Sequence, residues 1–346
     1  MTTSWSARLS KVAATVALTW NLAACTPTPV ATTPAPAPLD LKVGMLPGTA
    51  GAPIIVPALE GQFAARGLNI SLEPVTDTTQ AMISVATGQY DMAIVTIGPA
   101  ALNVLNRGAD VKIIAAGAAQ PPGHGDNLPL VVRSQLIDAG VVKTAADLKG
   151  RKVAVNVTGA NADYKLARAF ATVNLTPADV DEVAMPFPDM VVALSTGAID
   201  AGLVLQPTAA QAVARGVGKI LLDDFDQNGQ GGLLVVNSRF LGQHRDALAT
   251  FLVVYLQEIR RFAAGKIKTD DQALEALESY THVPSDLIRL GPDPYWPADG
   301  HVVIESLRDQ QNFYVRNKYT DYGEALDVDK LIDYGPLDAA LKDLGG

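Results

Sequence analysis

Two stretches of this chain carry the same order of features. One reads Thr87-Gly88-Gln89-Tyr90-Asp91-Met92-Ala93-Ile94-Val95, the other Thr196-Gly197-Ala198-Ile199-Asp200-Ala201-Gly202-Leu203-Val204. Each runs on to a proline, Pro99 or Pro207, a residue suited to the first position of a helix. Each following helix closes on Arg-Gly, at Arg107-Gly108 and Arg215-Gly216. Each then passes through a lysine into an apolar strand, Lys112-Ile113-Ile114 and Lys219-Ile220-Leu221-Leu222. A repeated turn, strand, helix and strand predicts two similar α/β lobes with a cleft between them. Chance similarity is the competing explanation, because Gly and Asp are common between such elements.

The surrounding pattern alternates strand and helix, which argues for mainly parallel sheets covered by helices. Strands are expected at 41–46, 69–74, 91–96 and 111–118, with helices at 52–66, 77–87 and 99–107. Gly67, Gly88 and Gly108 serve as the helix stops. The second lobe is expected to repeat the scheme, with strands at 152–157 and 180–185 and helices at 145–149, 161–173 and 189–195. Further helices follow at 243–264 and 269–280. The segment 221–232 is polar and Gly-rich and reads as a flexible crossover. The expected organisation is a signal segment at 1–24, a linker at 25–40, one lobe from 41–125 with 230–346, and the other from 126–229.

The N-terminus reads as an address. Arg8 and Lys11 precede a mostly apolar run, Val12 to Ala24, too short to span the roughly 30 Å hydrocarbon core of a bilayer. The run closes on Leu22-Ala23-Ala24-Cys25, which resembles the bacterial lipobox, whose cysteine is lipidated and becomes the mature N-terminus. Cys25 is the single cysteine, so no intrachain disulfide is available and its expected chemistry is anchoring. Thr26 to Pro38 is rich in proline and uncharged, and favours an extended polyproline tether. The formal net charge is −9. Arg8 and Lys11 are the only charged residues before Cys25, so the remainder is more acidic still. That balance argues against a nucleic-acid partner.

Several runs together resemble the periplasmic substrate-binding proteins of ABC importers. They are Ala52-Pro53, Gly61-Gln62-Phe63, the two Gly-x-x-Asp units, Asp147-Leu148-Lys149-Gly150-Arg151-Lys152 and Phe187-Pro188-Asp189-Met190. The nearest branch takes up thiamine pyrimidine precursors, riboflavin, aliphatic sulfonates, taurine and nitrate. The resemblance implies a type II-like, two-lobed periplasmic binding protein fold and no enzymatic activity, cofactor or metal. It further implies a monomer, lipid-anchored on the extracytoplasmic side, that delivers a small solute to a permease and its cytoplasmic ATPase. Gln206-Pro207 departs from the Glu-Pro often found at this place in the family, which removes a charged contact.

Ligands of open α/β sheets bind beyond the carboxyl ends of strands, at helix N-termini with bare N–H groups and partial positive charge. The candidate contacts at such places are Thr49 and Ala52, Thr96 and Ile97, Asn161, Asp163 and Tyr164, and Gln206, with Asn127 between the lobes and Phe187 from the family-like run. Thr96 has a second reading as a helix cap. Asn161 and Asp163 equally suit the needs of their own helical turn, and Tyr164 suits either stacking on a planar ligand or core packing. The asparagine, glutamine, threonine, tyrosine and aspartate among them suit a neutral, vitamin-like heterocycle, riboflavin or a thiamine-type pyrimidine. A sulfonate, taurine or nitrate is the alternative. His124 and Asp126 on one loop are too few for a metal site. A secreted enzyme is the rival class, but the four histidines are scattered and neither Gly-x-Ser-x-Gly nor His-Glu-x-x-His occurs.

Overall fold

In a computed structural model the described residues are 37–345. The expected signal segment, Cys25 and most of the linker lie outside them. The strands are β1 (Leu39–Met45), β2 (Leu68–Pro74), β3 (Met92–Val95), β4 (Val111–Ala116), β5 (Ala119–Gln120), β6 (Leu130–Arg133), β7 (Lys152–Val155), β8 (Asp181–Ala184), β9 (Ala201–Leu203), β10 (Gly218–Leu222), β11 (Gly229–Gln230) and β12 (Leu233–Asn237). They form two five-stranded sheets flanked by helices. One has the order β2-β1-β3-β12-β4. The other, read in the same sense, has β8-β7-β9-β6-β10.

The two sheets share one topology. In each, the first three strands are parallel and the fourth is antiparallel to its neighbours. The antiparallel strand is the one delivered by a crossover: β6 enters the second sheet after the first crossover, and β12 returns to the first sheet after the second. β5 and β11 pair antiparallel and tie the two crossovers together. The segment expected to be a flexible crossover is thus held partly as strand, and Gln230 within it is buried, donating from Nε2 to the carbonyls of Ala118 and Gly232 at 3.2 and 2.6 Å. The fold is the two-sheet α/β architecture expected from the sequence.

The repeated sequence units occupy equivalent places, at β3 and β9. Gly88 and Gly197 close the preceding helices with φ of +75° and +76°, the left-handed region that glycine enters without cost. Pro99 starts its helix, Pro99–Asn106. Pro207 sits one residue before the helix Thr208–Ala214 and is its cap residue, a shift from the first helical position expected for it.

Other boundaries move for local reasons. The helix expected at 52–66 ends at Leu59, because the chain turns at Gly61 with φ of +76° and resumes only as a short turn at Ala64–Arg66. The helix expected at 243–264 is two helices, Ser238–Gln243 and Arg245–Phe262. β4 stops at Ala116 because Gly117 crosses Gly232: a Cβ there would lie 2.9 Å from the Gly232 carbonyl carbon. β1 begins at Leu39, inside the expected linker.

The first sheet is covered on both faces. On one side Leu41, Val43 and Met45 pack with the helices Ala52–Leu59 and Arg245–Phe262, where Phe63 and Phe251 stack at 4.8 Å. On the other side Val95, Ile113 and Val235 pack with the helices Thr78–Ala86, Pro99–Asn106 and Ile304–Arg316. Burial of such side chains is the main stabilising term, about 1.5–3 kcal/mol for each fully buried large aliphatic residue. No helix among the described residues is long and apolar enough to cross a membrane.

Candidate ligand-binding cleft

A cleft of about 1220 Å³ of empty space, its open mouth included, lies between the carboxyl ends of strands from both sheets. Met45 ends β1, Leu46 follows it, and Thr96 follows β3. Asn156 and Val157 follow β7, and Leu205 follows β9. The glycines 48, 51, 98, 231 and 232 bring bare backbone to the walls. Helices start at the cleft behind Gly98 and Ala160, neither of which supplies a side-chain cap. Their first N–H groups give the cleft hydrogen-bond donors and partial positive charge. The helix start at Thr78 is capped: Asp77 Oδ1 accepts from Thr79 N at 2.6 Å and Gln80 N at 3.2 Å.

Most of the wall is apolar, with Met45, Leu46, Ile94, Leu128, Phe187, Leu203 and Leu205 among the side chains that line it. Among the described residues that line it there is no lysine, arginine, histidine, serine or cysteine. The polar groups are amides and hydroxyls: Thr78, Thr79, Thr96, Asn127, Asn156 and Asn161, with Asp77 and Asp126. The hydroxyls of Thr78 and Thr96 bond to each other at 2.9 Å.

Bonds link residues that flank the two sheets around the rim. Asn156 Nδ2 donates to the carbonyl of Thr76 at 3.2 Å, and Thr49 N to that of Gln206 at 3.4 Å. Thr49 Oγ1 donates to Asn127 Oδ1 at 3.3 Å. At the floor, Lys165 is buried between two carboxylates, with Nζ 3.0 Å from Asp126 Oδ2 and 2.6 Å from Asp226 Oδ2. Burial works against the ammonium charge, but the two carboxylates outweigh it, so Lys165 titrates above the ordinary lysine range. Asp126 is on the first crossover and Asp226 on the second, so one side chain fastens both to the helix Asn161–Phe170.

Of the residues singled out from the sequence, Thr96, Asn127, Asn161 and Phe187 line the cleft. Ala52 and Ile97 are core residues, and the Ile97 carbonyl accepts from Tyr314. Thr49 is buried beside the cleft in the rim bonds above. Asp163 Oδ2 accepts from Ala160 N at 2.8 Å, completing its own helical turn. Tyr164 packs in the core, and its hydroxyl donates to Asp309 Oδ2 at 2.9 Å. Gln206 is 1% exposed and turns away from the cleft: its Oε1 accepts from Ala210 N at 3.2 Å. His124 is exposed and lies against Tyr295. Thr78, Thr79 and Asn156 were missed, although Asp77-Thr78-Thr79 shows the same signal, a capped helix start directly after a strand.

Residues 34–276, well over half of the chain, match the NMT1-like family. No curated protein matches the chain. Among solved structures, the chain is similar to the alkanesulfonate-binding protein SsuA from Xanthomonas axonopodis pv. citri bound to MOPS, at 16% identity over 86% of this chain and 99% of that one, TM-score 0.69. It is similar to the periplasmic nitrate-binding protein NrtA from Synechocystis PCC 6803, at 18% identity over 89% of each chain, TM-score 0.69. The desulfurization enzyme DSZB shares the architecture as well, at 14% identity over 88% of this chain and 99% of that one, TM-score 0.62. One fold therefore serves binding proteins and an enzyme. With the architecture, the cleft and the matched residues taken together, the chain belongs to the NMT1-like family.

Proposed function

We propose that this protein is the solute-binding component of an ABC importer, which captures a small molecule between its two sheets and passes it to a membrane permease driven by a cytoplasmic ATPase. The cleft carries the reading. It is built from both sheets, walled by apolar side chains, and furnished with amides, hydroxyls and helix N-termini, groups that hold a ligand rather than attack it. The moving bodies are 41–125 with 230–346, and 126–229. A solute that touches both favours the closed arrangement by its extra contacts there.

The solute in this reading is a vitamin-like heterocycle, riboflavin or a thiamine-type pyrimidine. Phe187 and the aliphatic wall suit a planar apolar body, and the asparagines and threonines suit its polar edge. A second reading, an organosulfonate, draws on the bare helix starts at Gly98 and Ala160, which suit an anionic head. Lipidation of Cys25 would hold the protein at the membrane, and Cys25→Ser should then release it.

A thermal-shift series on the purified protein tests the reading, since a ligand that binds only the folded state raises the melting temperature. A saturable rise with riboflavin or thiamine-type pyrimidines is expected. A rise with alkanesulfonates alone would move the assignment to the second reading. A bound compound returned chemically altered at substoichiometric protein would overturn the binding-protein reading.

A further inference from the structure

The helix Asn161–Phe170 belongs to the second sheet, yet its Tyr164 is 3% exposed and buried in the apolar layer of the first sheet. There its ring meets Phe313 edge-on at 5.6 Å and Tyr314 at 6.4 Å, and its hydroxyl donates to Asp309. One turn earlier, Asn161 Nδ2 donates to Gln310 Oε1 at 3.2 Å and reaches the Tyr314 hydroxyl at 3.5 Å. Asp309, Gln310, Phe313 and Tyr314 all stand on the helix Ile304–Arg316, whose Leu307 and Tyr314 are part of the first sheet's core. Two helices from different sheets therefore meet through a buried aromatic knob and directed hydrogen bonds.

Apart from Asn161 the contact uses no residue of the cleft wall, and it abuts the second crossover, where the Gln230 carbonyl accepts from Gln310 Nε2 at 3.0 Å. Burial first, then the Asp226 and Asp309 carboxylates, push the Tyr164 phenol up, so it stays protonated and able to donate. A hydrogen bond to a carboxylate is stronger than one between neutral groups. An opening that parts these two helices withdraws the Tyr164 ring from the first sheet's core and exposes both partners.

We infer that this contact is a latch with Tyr164 as its bolt: it biases the two bodies toward the closed arrangement before any solute arrives. Its consequence for uptake rests on the proposed solute-binding role. A bias toward the binding-competent state raises apparent affinity in proportion to that state's population, so the latch would tune the cleft from outside it.

Small-angle scattering from the solute-free protein tests the latch independently of that role. Tyr164→Phe keeps the ring and removes the bond, and Asp309→Ala removes the acceptor. Tyr322→Phe is the control, because it breaks a bond to Gln311 Oε1 at 3.2 Å on the same helix but on the first body alone. Tyr164→Phe and Asp309→Ala should each raise the radius of gyration, on the order of 1 Å above a compact body of roughly 20 Å for about 310 residues, while the control should match the parent. Unchanged scattering from both latch variants, or an equal rise in the control, would overturn the latch. The solute screen does not enter this result, so the two readings fail separately.

Discussion

Asp91 and Asp200 do the same work in two different sheets. Asp91 Oδ2 accepts from the backbone N–H of Lys42 on β1 at 2.9 Å, and Asp200 Oδ2 from that of Lys152 on β7 at 3.2 Å. Each aspartate also donates its own N–H to the carbonyl of the same lysine and accepts at its carbonyl from the incoming antiparallel strand, at Asn237 N and Arg133 N. The repeated Gly-x-x-Asp is therefore a strand clamp: glycine ends the helix, and aspartate ties the next strand to both neighbours at its start.

Removing one clamp should cost about 1 kcal/mol, the net worth of an ordinary hydrogen bond. Asp200→Ala should cost more than Asp91→Ala, because Asp200 also pairs with Arg133 at 3.2 Å. The two losses should add within about 0.5 kcal/mol, since the sites share no partners. Urea unfolding of both single variants and the double variant checks this, and a larger coupling would show that the clamps are not independent.

Lys165 sits between Asp126 and Asp226 with all three buried, so taking it away leaves Asp126 without a cation and Asp226 with only Arg168, at 3.6 Å. Lys165→Met should lose about 3–5 kcal/mol of stability. Adding Asp126→Asn and Asp226→Asn to the same chain should recover part of the loss. A single variant as stable as the parent would mean that the triad contributes nothing.

Glu182 lies beside Asp163, and burial, then the Asp163 charge, push its carboxyl up to about 7. The folded state thus favours the protonated form over its ordinary value of 4.5. The associated stability is fully present below that value and is lost as pH rises through about 7. Glu182→Gln should be more stable than the parent at about pH 8 and should flatten the profile above about pH 5. Parallel melting curves for the two proteins across this range would rule the pair out as the source.

Once a solute is in hand, Thr96→Val and Phe187→Ala separate its polar edge from its body. Leaving one ligand group unpaired at Thr96 should cost about 1–3 kcal/mol, roughly 5- to 150-fold in affinity. Phe187→Ala should weaken a planar heterocycle more than a small anion, because only the former gains from contact with the ring. Calorimetry reads both, and unchanged affinity in both variants would place the solute elsewhere.

What the chain declares by itself is local and repetitive. Gly88, Gly108, Gly197 and Gly216 take positive φ where the helices were expected to stop. Pro99 starts its helix and Asp77 caps one. The duplicated unit announces two α/β bodies, because each of these signals acts over a few residues, through backbone sterics and hydrogen bonds that need no distant partner. Tertiary packing decided what faces the cleft. Tyr164 and Asn161 are three residues apart on one helix, yet one enters the other sheet's core beside Asp309, 145 residues away, while the other edges the cleft. Lys165, the next residue, reads as a surface lysine until two crossovers bring Asp126 and Asp226 to it. Which way a side chain on a helix turns depends on the apolar surface and charges that distant strands present to it, and those are assembled only when the two sheets are.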